Sequence, residues 1–152
     1  MKKWFTILAT VATMTVVFSS CSKSQPVSCG EGDITANPWS LQSYGLPDNL
    51  ASLVPGTLVT ISFLTDGTRI AGSDGCNAYF GNCQVDSKTC GLKIDQSSVS
   101  TTKKACDPLV AQQETKFLVL LKAAQRYTIN AKILRITCGK EVLVFVPYVE
   151  SQ

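Results

Sequence analysis

Histidine is absent from this chain of 152 residues. Its absence excludes Ser-His-Asp and Cys-His catalysis, histidine-based zinc sites and histidine as a general base. Charge is also scarce, since Asp, Glu, Lys and Arg make up 16% of the residues and the formal net charge is +3. Two of the positive charges, Lys2 and Lys3, lie at the extreme N-terminus. The near-neutral remainder offers no basic surface for nucleic acid, so we expect no nucleic-acid partner.

An apolar run follows these two lysines and predicts a signal peptide. Trp4–Phe18 is apolar with scattered threonines, a length that suits the hydrophobic region of a signal peptide and is short for a membrane span. Residues 1–20 are therefore predicted to direct export and to be removed. Residues 21–38 are polar, with glycines, serines and two prolines, and predict a tether that leads to the folded domain.

A cysteine stands directly after this run. Ser19–Cys21 places small residues before the cysteine, an order that resembles the lipobox of bacterial lipoproteins, with Phe18 where that motif usually has leucine. The resemblance implies cleavage before Cys21 and acylation of its thiol and amine, which would anchor the chain to a membrane of the bacterial cell envelope. Ser22 resembles an outer-membrane sorting pattern, so the outer membrane is the expected location. An ordinary secretory signal with a chance cysteine is the alternative.

The number of cysteines agrees with a lipid anchor. Seven cysteines is an odd number, and a leftover thiol would be awkward in an oxidising compartment. If Cys21 carries the lipid, six cysteines remain, enough for three disulfides that an exported chain can keep. These six are Cys29, Cys76, Cys83, Cys90, Cys106 and Cys138.

Short segments of alternating or β-branched residues predict an antiparallel meander. Asp66-Gly67 and Asp86-Ser87 predict tight turns within it. Leu143–Val146 is apolar at consecutive positions, so its strand is expected to be covered on both sides. The predicted strands are Trp39–Tyr44, Thr57–Leu64, Thr68–Gly72, Tyr79–Val85, Thr89–Asp95, Arg126–Ile129, Ile133–Cys138 and Val142–Tyr148.

One helix is predicted, over Pro108–Gln125. Asp107 is a good N-cap, and Pro108 suits the first helical position because its missing N–H has no partner there anyway. Apolar residues recur at helical spacing along one stripe, and polar residues occupy the other side. The apolar stripe contains Val110, Phe117, Leu118, Leu121 and Ala124, and the polar side contains Gln112, Gln113, Lys116 and Lys122.

These elements predict the fold class. One helix cannot cover both faces of about eight strands, and a sheet that curls towards closure leaves fewer exposed strand edges. We therefore expect an α+β fold: a mainly antiparallel, barrel-like sheet of about eight strands, with one helix plugging an end or an opening. A single domain is predicted over residues 39–152.

Several motifs, taken in order, point to a known family. The most specific are the run Gly75–Gly81, which reads GCNAYFG, and the segment Thr102–Cys106 before the helix. Together with the strand patterns, they resemble the META domain (HslJ-like) family of bacterial envelope lipoproteins over residues 39–147. The resemblance implies an antiparallel barrel-like sheet with one helix, and no established catalytic residues. The other matching positions are Trp39, Leu41, Ile61, Phe63, Asp66, Gly67, Ile70, Gly72, Glu114, Phe117, Leu118, Tyr127, Ile129 and Phe145.

The resemblance also implies one disulfide. Cys76 and Cys106 stand at its motif positions and are paired on that ground. Cys83 and Cys90 lie symmetrically about Asp86-Ser87 and are expected to face each other across a hairpin. The two cysteines left over would tie the tether to the penultimate strand. The three predicted disulfides are Cys76–Cys106, Cys83–Cys90 and Cys29–Cys138.

Catalytic and metal chemistry are disfavoured. The regular spacing of seven between Cys76, Cys83 and Cys90 raises the possibility of a metal cluster. Because no CxxC pair or histidine accompanies it, we expect no metal and no cofactor. A redox-active disulfide is a weaker alternative.

Ser100–Lys103 matches S-x-x-K without the partner motifs of Ser/Lys enzymes, so no catalytic residue is predicted. The acidic residues in turns, including Asp74, are expected to serve turn geometry.

The predicted function is therefore non-enzymatic. We expect a lipid-anchored envelope domain that binds or stabilises an unidentified protein partner, with envelope stress as one setting. Tyr79 and Phe80 are the candidate contacts, since neighbours on a strand point to opposite faces and one of the two should be exposed. The alternative is a lipoprotein inhibitor of a secreted peptidase, with Gly45–Gly56 and Val85–Cys90 as its rigid loops.

Overall fold

The structure, a computed structural model, describes residues 28–149. The predicted signal peptide, the lipidation site Cys21 and most of the tether lie outside the described residues. The elements are β1 (Trp39–Leu46), β2 (Asn49–Ser52), β3 (Thr60–Phe63), β4 (Arg69–Ser73), β5 (Ala78–Asp86), β6 (Gly91–Ile94), β7 (Ser100–Thr101), α1 (Pro108–Lys122), β8 (Arg126–Asn130), β9 (Ile133–Cys138) and β10 (Glu141–Pro147).

Eight of the strands form a closed antiparallel barrel. The hydrogen-bonded order is β10-β9-β8-β6-β5-β4-β3-β1, and β10 also pairs with β1, so the sheet closes on itself. Two further strands lie outside this circuit: β2 pairs with β1, and β7 pairs with β5. The predicted α+β barrel with one helix is confirmed. Closure pairs the edges that an open sheet would leave exposed.

The barrel interior is filled by alternate residues of the strands. Along β9, Leu134 and Ile136 are fully buried while Ile133 and Arg135 are exposed, the alternation that the sequence shows. In β10 the four residues 142–145 are all buried, so this strand is covered on both faces, as its consecutive apolar residues predicted. Residues buried in the core include Trp39, Leu41, Val59, Ile61, Ile70, Phe117, Leu121, Leu143 and Phe145.

The helix begins where the sequence predicts. Asp107 caps it by accepting a hydrogen bond from Leu109 N at 2.9 Å. It ends at Lys122, three residues earlier than predicted, because the next N–H groups are diverted: Ala124 N donates to Leu121 O, and Gln125 N donates across to Thr137 of β9. The hydrogen bond from Gln125 to β9 therefore marks the start of the extended segment that leads into β8.

One face of α1 joins the barrel core. The ring of Phe117 meets that of Tyr79 edge to face, with centroids 5.7 Å apart. Lys116 Nζ also lies 2.8 Å from a carboxylate oxygen of Glu141 on β10.

The prediction that Gln113 lies on the polar side of the helix was wrong, since its side chain is buried. It bonds the loop before β3, where it accepts from Val54 N and donates to Thr57 Oγ1. A buried amide is tolerated where each polar end has a partner.

Two segments predicted as irregular are ordered against the barrel. The predicted loop Gly45–Gly56 contains β2, which forms a hairpin with the end of β1. Residues 28–38, predicted as the end of the tether, pack on β8 and β1: Glu31 N donates to Ile129 O, and Trp39 Nε1 donates to Ile34 O at 2.8 Å. Within the described residues, no helix is long and apolar enough to cross a membrane.

Candidate functional site

The segment Gly72–Cys83, here called the corner, runs from the end of β4 through a bend into β5. It carries the most specific motif of the sequence. At its bend, Asp74 Oδ1 accepts hydrogen bonds from Cys76 N at 3.0 Å and Asn77 N at 2.6 Å. Gly75 has φ +103°, a conformation that disfavours side chains. Gly72 is needed for a different reason, because a Cβ there would collide with the carbonyl of Thr60.

Asn77 is the hub of the corner. It is buried, and its Oδ1 accepts from Thr102 Oγ1 and from Lys104 N, both at 2.8 Å. Its Nδ2 faces the carboxylate of Glu114, with distances of 3.3 and 3.4 Å to the two oxygens. One side chain therefore connects the corner, the segment before the helix and the helix itself. This explains why an asparagine, with both donor and acceptor, suits this position.

Two carboxyl groups meet beside Asn77. Asp74 is fully buried, and its Oδ2 has no hydrogen-bond partner among the described residues. Partial burial, and then the negative charge of Asp74, raise the pKa of Glu114, while the hydrogen bond from Asn77 acts in the opposite direction. A protonated Glu114 can supply the donor that Asp74 Oδ2 otherwise lacks.

The disulfide Cys76–Cys106 lies against this carboxyl pair. Its Cα atoms are 6.2 Å apart, and it joins the corner to the residue before the helix cap, as the sequence resemblance implied. Cys106 Sγ is 3.9 Å from Glu114 Oε2 and 3.7 Å from Asn77 Nδ2. Both cysteines and Glu114 are partly accessible to solvent. The site therefore combines a disulfide with an acid pair.

The second disulfide differs from the prediction. Cys29 is bonded to Cys90, with Cα atoms 5.2 Å apart, so the predicted pairs Cys83–Cys90 and Cys29–Cys138 were wrong. The cause is the hairpin register: Asp86 pairs with Gly91 and Cys83 with Ile94, which makes the turn four residues long. Cys90 thus belongs to the turn, with φ +59°, where it meets the N-terminal segment.

The last two cysteines of the described region are free thiols. Cys83 and Cys138 are both buried in the core. Burial, with a further contribution from Asp66, raises the pKa of Cys83 to about 11. Burial, with a further contribution from Glu141, raises the pKa of Cys138 to about 12. Thiols held in the protonated form and away from solvent are inert, so both act as core residues.

The structure separates the two candidate contacts, Tyr79 and Phe80. Tyr79 is buried and donates its hydroxyl to Thr60 O at 2.9 Å. Burial, with the charge of Asp74, raises its pKa well above the usual value. Phe80 points outward, with 63% of its surface exposed. It lines a concavity of about 400 Å³ with residues of β4, among them Arg69 and Ala71. Phe80 is therefore the candidate contact of this pair.

Three of the acidic residues serve turn geometry as expected. Asp66 accepts from Thr68 N in the β3–β4 hairpin, and Asp86 accepts from Lys88 N and from the Thr89 hydroxyl in the next turn. Asp74 also fixes a turn, but its buried, unpartnered oxygen goes beyond that role. Sequence reasoning missed Glu114 as part of the site. Its position three residues before Phe117, at the edge of the apolar stripe, was the available signal.

Fold and site together define a class: a small, disulfide-bonded α+β barrel domain with a buried polar cluster at the entry to its helix. The family model of the META domain matches residues 32–150. The chain therefore belongs to the META domain family.

Solved structures agree at the level of the fold. A protein from Burkholderia xenovorans, solved by NMR, is 21% identical, with a TM-score of 0.62 over 77% of this chain and 85% of that one. A DUF4847 family protein from Bacteroides vulgatus is 18% identical, with a TM-score of 0.54 over 78% of this chain and 96% of that one. No curated protein matches the sequence.

Proposed function

We propose that this chain is a lipid-anchored domain of the bacterial envelope that binds a protein partner through Phe80 and the adjacent concavity, here called the Phe80 surface: Leu64, Arg69, Ala71, Phe80 and Ser98. The exposed aromatic ring carries this proposal. A phenylalanine that is 63% exposed on a strand of a closed barrel does not contribute its apolar area to the core. Aromatic anchors beside a concave surface are typical of the centres of protein interfaces.

The scaffold supports this role. The Phe80 ring lies on β5, between β4 on one side and β7 on the other, so its backbone is held by pairing on both edges. A rigid strand loses little conformational entropy when it binds. Arg69 contributes a charged group at the edge of the concavity, which suits a partner with an acidic rim.

The anchor rests on the sequence. A basic start, an apolar run and small residues before Cys21 support lipidation. Eight residues from Cys21 to Cys29 span at most about 28 Å. Because Cys29 is bonded to Cys90, the turn at residues 87–90 would lie near the membrane.

Comparing two exposed apolar residues tests the partner surface. A photo-crosslinking amino acid at position 80 should capture a discrete envelope protein, and the same probe at position 109 should not. Leu109 is a matched control because it is 62% exposed but lies on α1. Phe80→Ser should abolish co-purification of the captured protein, while Leu109→Ser preserves it. Capture of the same protein, in equal amount, by the probes at positions 80 and 109 would contradict the proposal.

Lipidation has a separate test. The full chain should incorporate labelled palmitate and accumulate as a precursor in the presence of globomycin, and Cys21→Ala should release the domain from the membrane fraction. A Cys21→Ala chain that remains anchored would refute the anchor without affecting the Phe80 surface.

A second candidate is inhibition of a secreted peptidase, favoured by the turn at residues 87–90. Ser87, Lys88 and Thr89 are exposed, while Cys90 is buried and disulfide-bonded, and Asp86 holds the turn from within. A rigid exposed loop is the geometry that substrate-like inhibitors use. Inhibition of a panel of secreted peptidases by residues 22–152, lost in Lys88→Ala, would support it, and no inhibition at micromolar protein would exclude it.

A further inference from the structure

The cluster at the helix entry has the donor set of a metal site when its disulfide is open. The sulfur atoms of Cys76 and Cys106 and a carboxylate oxygen of Glu114 all lie within 4.8 Å of one another. Thiolates and carboxylates are ligands of Zn²⁺, which takes four of them in tetrahedral geometry. With the disulfide formed, the sulfurs are not available as thiolates.

Asp74 lies next to this set of three and provides an independent observation. It is fully buried, and its Oδ2 has no hydrogen-bond partner, although its Oδ1 is fixed by two backbone N–H groups. Asp74 is bonded to the backbone N–H of Cys76, one of the ligands, and of Asn77, whose side chain bonds Glu114, so this carboxylate lies beside the cluster. A buried carboxylate oxygen without a partner is costly, and a bound cation would satisfy it. The fixed Oδ1 also orients the free oxygen.

We propose that reduction of Cys76–Cys106 creates a zinc site formed by Cys76, Cys106, Glu114 and Asp74. The reductant is a dithiol. It transfers two electrons and two protons to the sulfurs, the S–S bond breaks, and the dithiol becomes a disulfide. Zn²⁺ then binds the two sulfurs as thiolates and displaces their two protons.

The backbone geometry allows this change. With Zn–S bonds of about 2.3 Å, two thiolates of a tetrahedral zinc lie about 3.8 Å apart. Since the Cα atoms are 6.2 Å apart, rotation of the two side chains separates the sulfurs without moving the strands. Partial solvent access to both cysteines and Glu114 gives the ion a path of entry. The Asn77 amide, 3.7 Å from Cys106 Sγ, can donate to a bound thiolate.

The second disulfide provides a matched control. In the described region, no carboxylate satisfies the same distance criterion with Cys29 and Cys90, so reduction of this disulfide should create no site. Residues 28–149 form a closed barrel with its own core, so the experiment uses residues 22–152. A Cys83→Ala/Cys138→Ala background removes the two buried thiols. The chain is reduced with a dithiol, freed of it by gel filtration under argon, and titrated with zinc against a chromophoric chelator.

The expected result is one zinc per chain after reduction and none before it. Cys29→Ala/Cys90→Ala should retain binding, and Cys76→Ala/Cys106→Ala should lose it. Asp74→Asn and Glu114→Gln should each weaken it roughly 10- to 100-fold, whereas Glu141→Gln should not. Cobalt(II) bound in place of zinc should show thiolate charge-transfer absorption.

Three outcomes would overturn the proposal: binding by the oxidised chain, binding that survives in Cys76→Ala/Cys106→Ala, or undiminished binding by both carboxylate variants. Circular dichroism shows whether the reduced chain stays folded. If the chain unfolds on reduction, the proposal is still tested by adding zinc to the unfolded chain. Refolding on addition of zinc, absent in Asp74→Asn, supports the site, because binding is then coupled to folding. A reduced chain that zinc neither binds nor refolds contradicts it.

Discussion

Asp74 and Asn77 hold each other through two hydrogen bonds: Asn77 N–H donates to Asp74 Oδ1 at 2.6 Å, and Asp74 N–H donates to the Asn77 carbonyl at 2.9 Å. This closed pair fixes the bend of the corner. It also positions the side chain of Asn77, whose Nδ2 bonds Glu114. The bend and the polar cluster are thus one structure.

Replacing Asn77 should cost more stability than its size suggests. Asn77→Ala removes the acceptor of Thr102 Oγ1 and Lys104 N, and the donor to Glu114. Since each lost bond leaves a partner to be solvated, we expect a loss of about 2 kcal/mol in the free energy of unfolding in urea. Asn82→Ala, on the exposed face of the following strand β5, should change it by less than about 0.5 kcal/mol. Equal losses would show that Asn77 is not a hub.

The acid pair predicts a dependence of stability on pH. The folded-state pKa of Glu114 is raised by burial and then by Asp74, so its contribution is fully present below its unfolded value, near 4.5, and declines as pH rises through the higher folded value. Glu114→Gln should flatten the curve of unfolding free energy over this window. Denaturant titrations from acid to neutral pH measure it.

Asp95 provides a control, because its pKa shift should change the unfolding free energy with pH in the direction opposite to that of Glu114. Its pKa is lowered by hydrogen bonds, first from the side chain of Ser97 and then from its backbone. Its contribution is present above the unfolded value of 3.8 and is lost as pH falls. Asp95→Asn should therefore act only at the acid end of the curve. If Glu114→Gln changed the pH dependence with the same sign as Asp95→Asn, the raised pKa of Glu114 would be contradicted.

The two disulfides should contribute comparable stability. The sequence separations are 61 for Cys29–Cys90 and 30 for Cys76–Cys106, for which chain entropy gives roughly 4 kcal/mol each, slightly more for the longer loop. Each double alanine variant should lower the free energy of unfolding by about that amount. Double variants are required because a single change leaves a reactive thiol. A loss well under 1 kcal/mol for either would show that the loop is already constrained without its disulfide.

Counting thiols tests the pairing directly. In residues 22–152, unfolding in denaturant without reductant should expose two thiols per chain, those of Cys83 and Cys138. The folded protein should react slowly at both, because they are buried and burial raises the pKa of each. Mass spectrometry of the alkylated peptides identifies them. Detection of no thiol would restore the three-disulfide arrangement.

Much of the fold follows from local patterns in the sequence. Alternation along β9 and the consecutive apolar residues of β10 fix which faces are buried, because side chains alternate along a strand. Asp107 and Pro108 fix the start of the helix, since capping is a local interaction. The barrel itself follows from counting one helix against about eight strands.

The tertiary structure decided the features that join distant parts of the chain. Cys90 pairs with Cys29 because a four-residue turn shifts the β5–β6 register and brings the N-terminal segment alongside it, and a pattern with a period of two does not report turn length. The helix ends near Lys122 because the N–H of Gln125 donates to Thr137 of β9 instead of continuing the helix. Asp74 looked like a turn residue, and only folding brings it close enough to Glu114, forty residues later, for its charge to raise the pKa of that carboxyl. The sequence alone therefore determined the elements, the family resemblance and the compartment to test, while three-dimensional packing assembled the polar cluster, because its members come from separate elements.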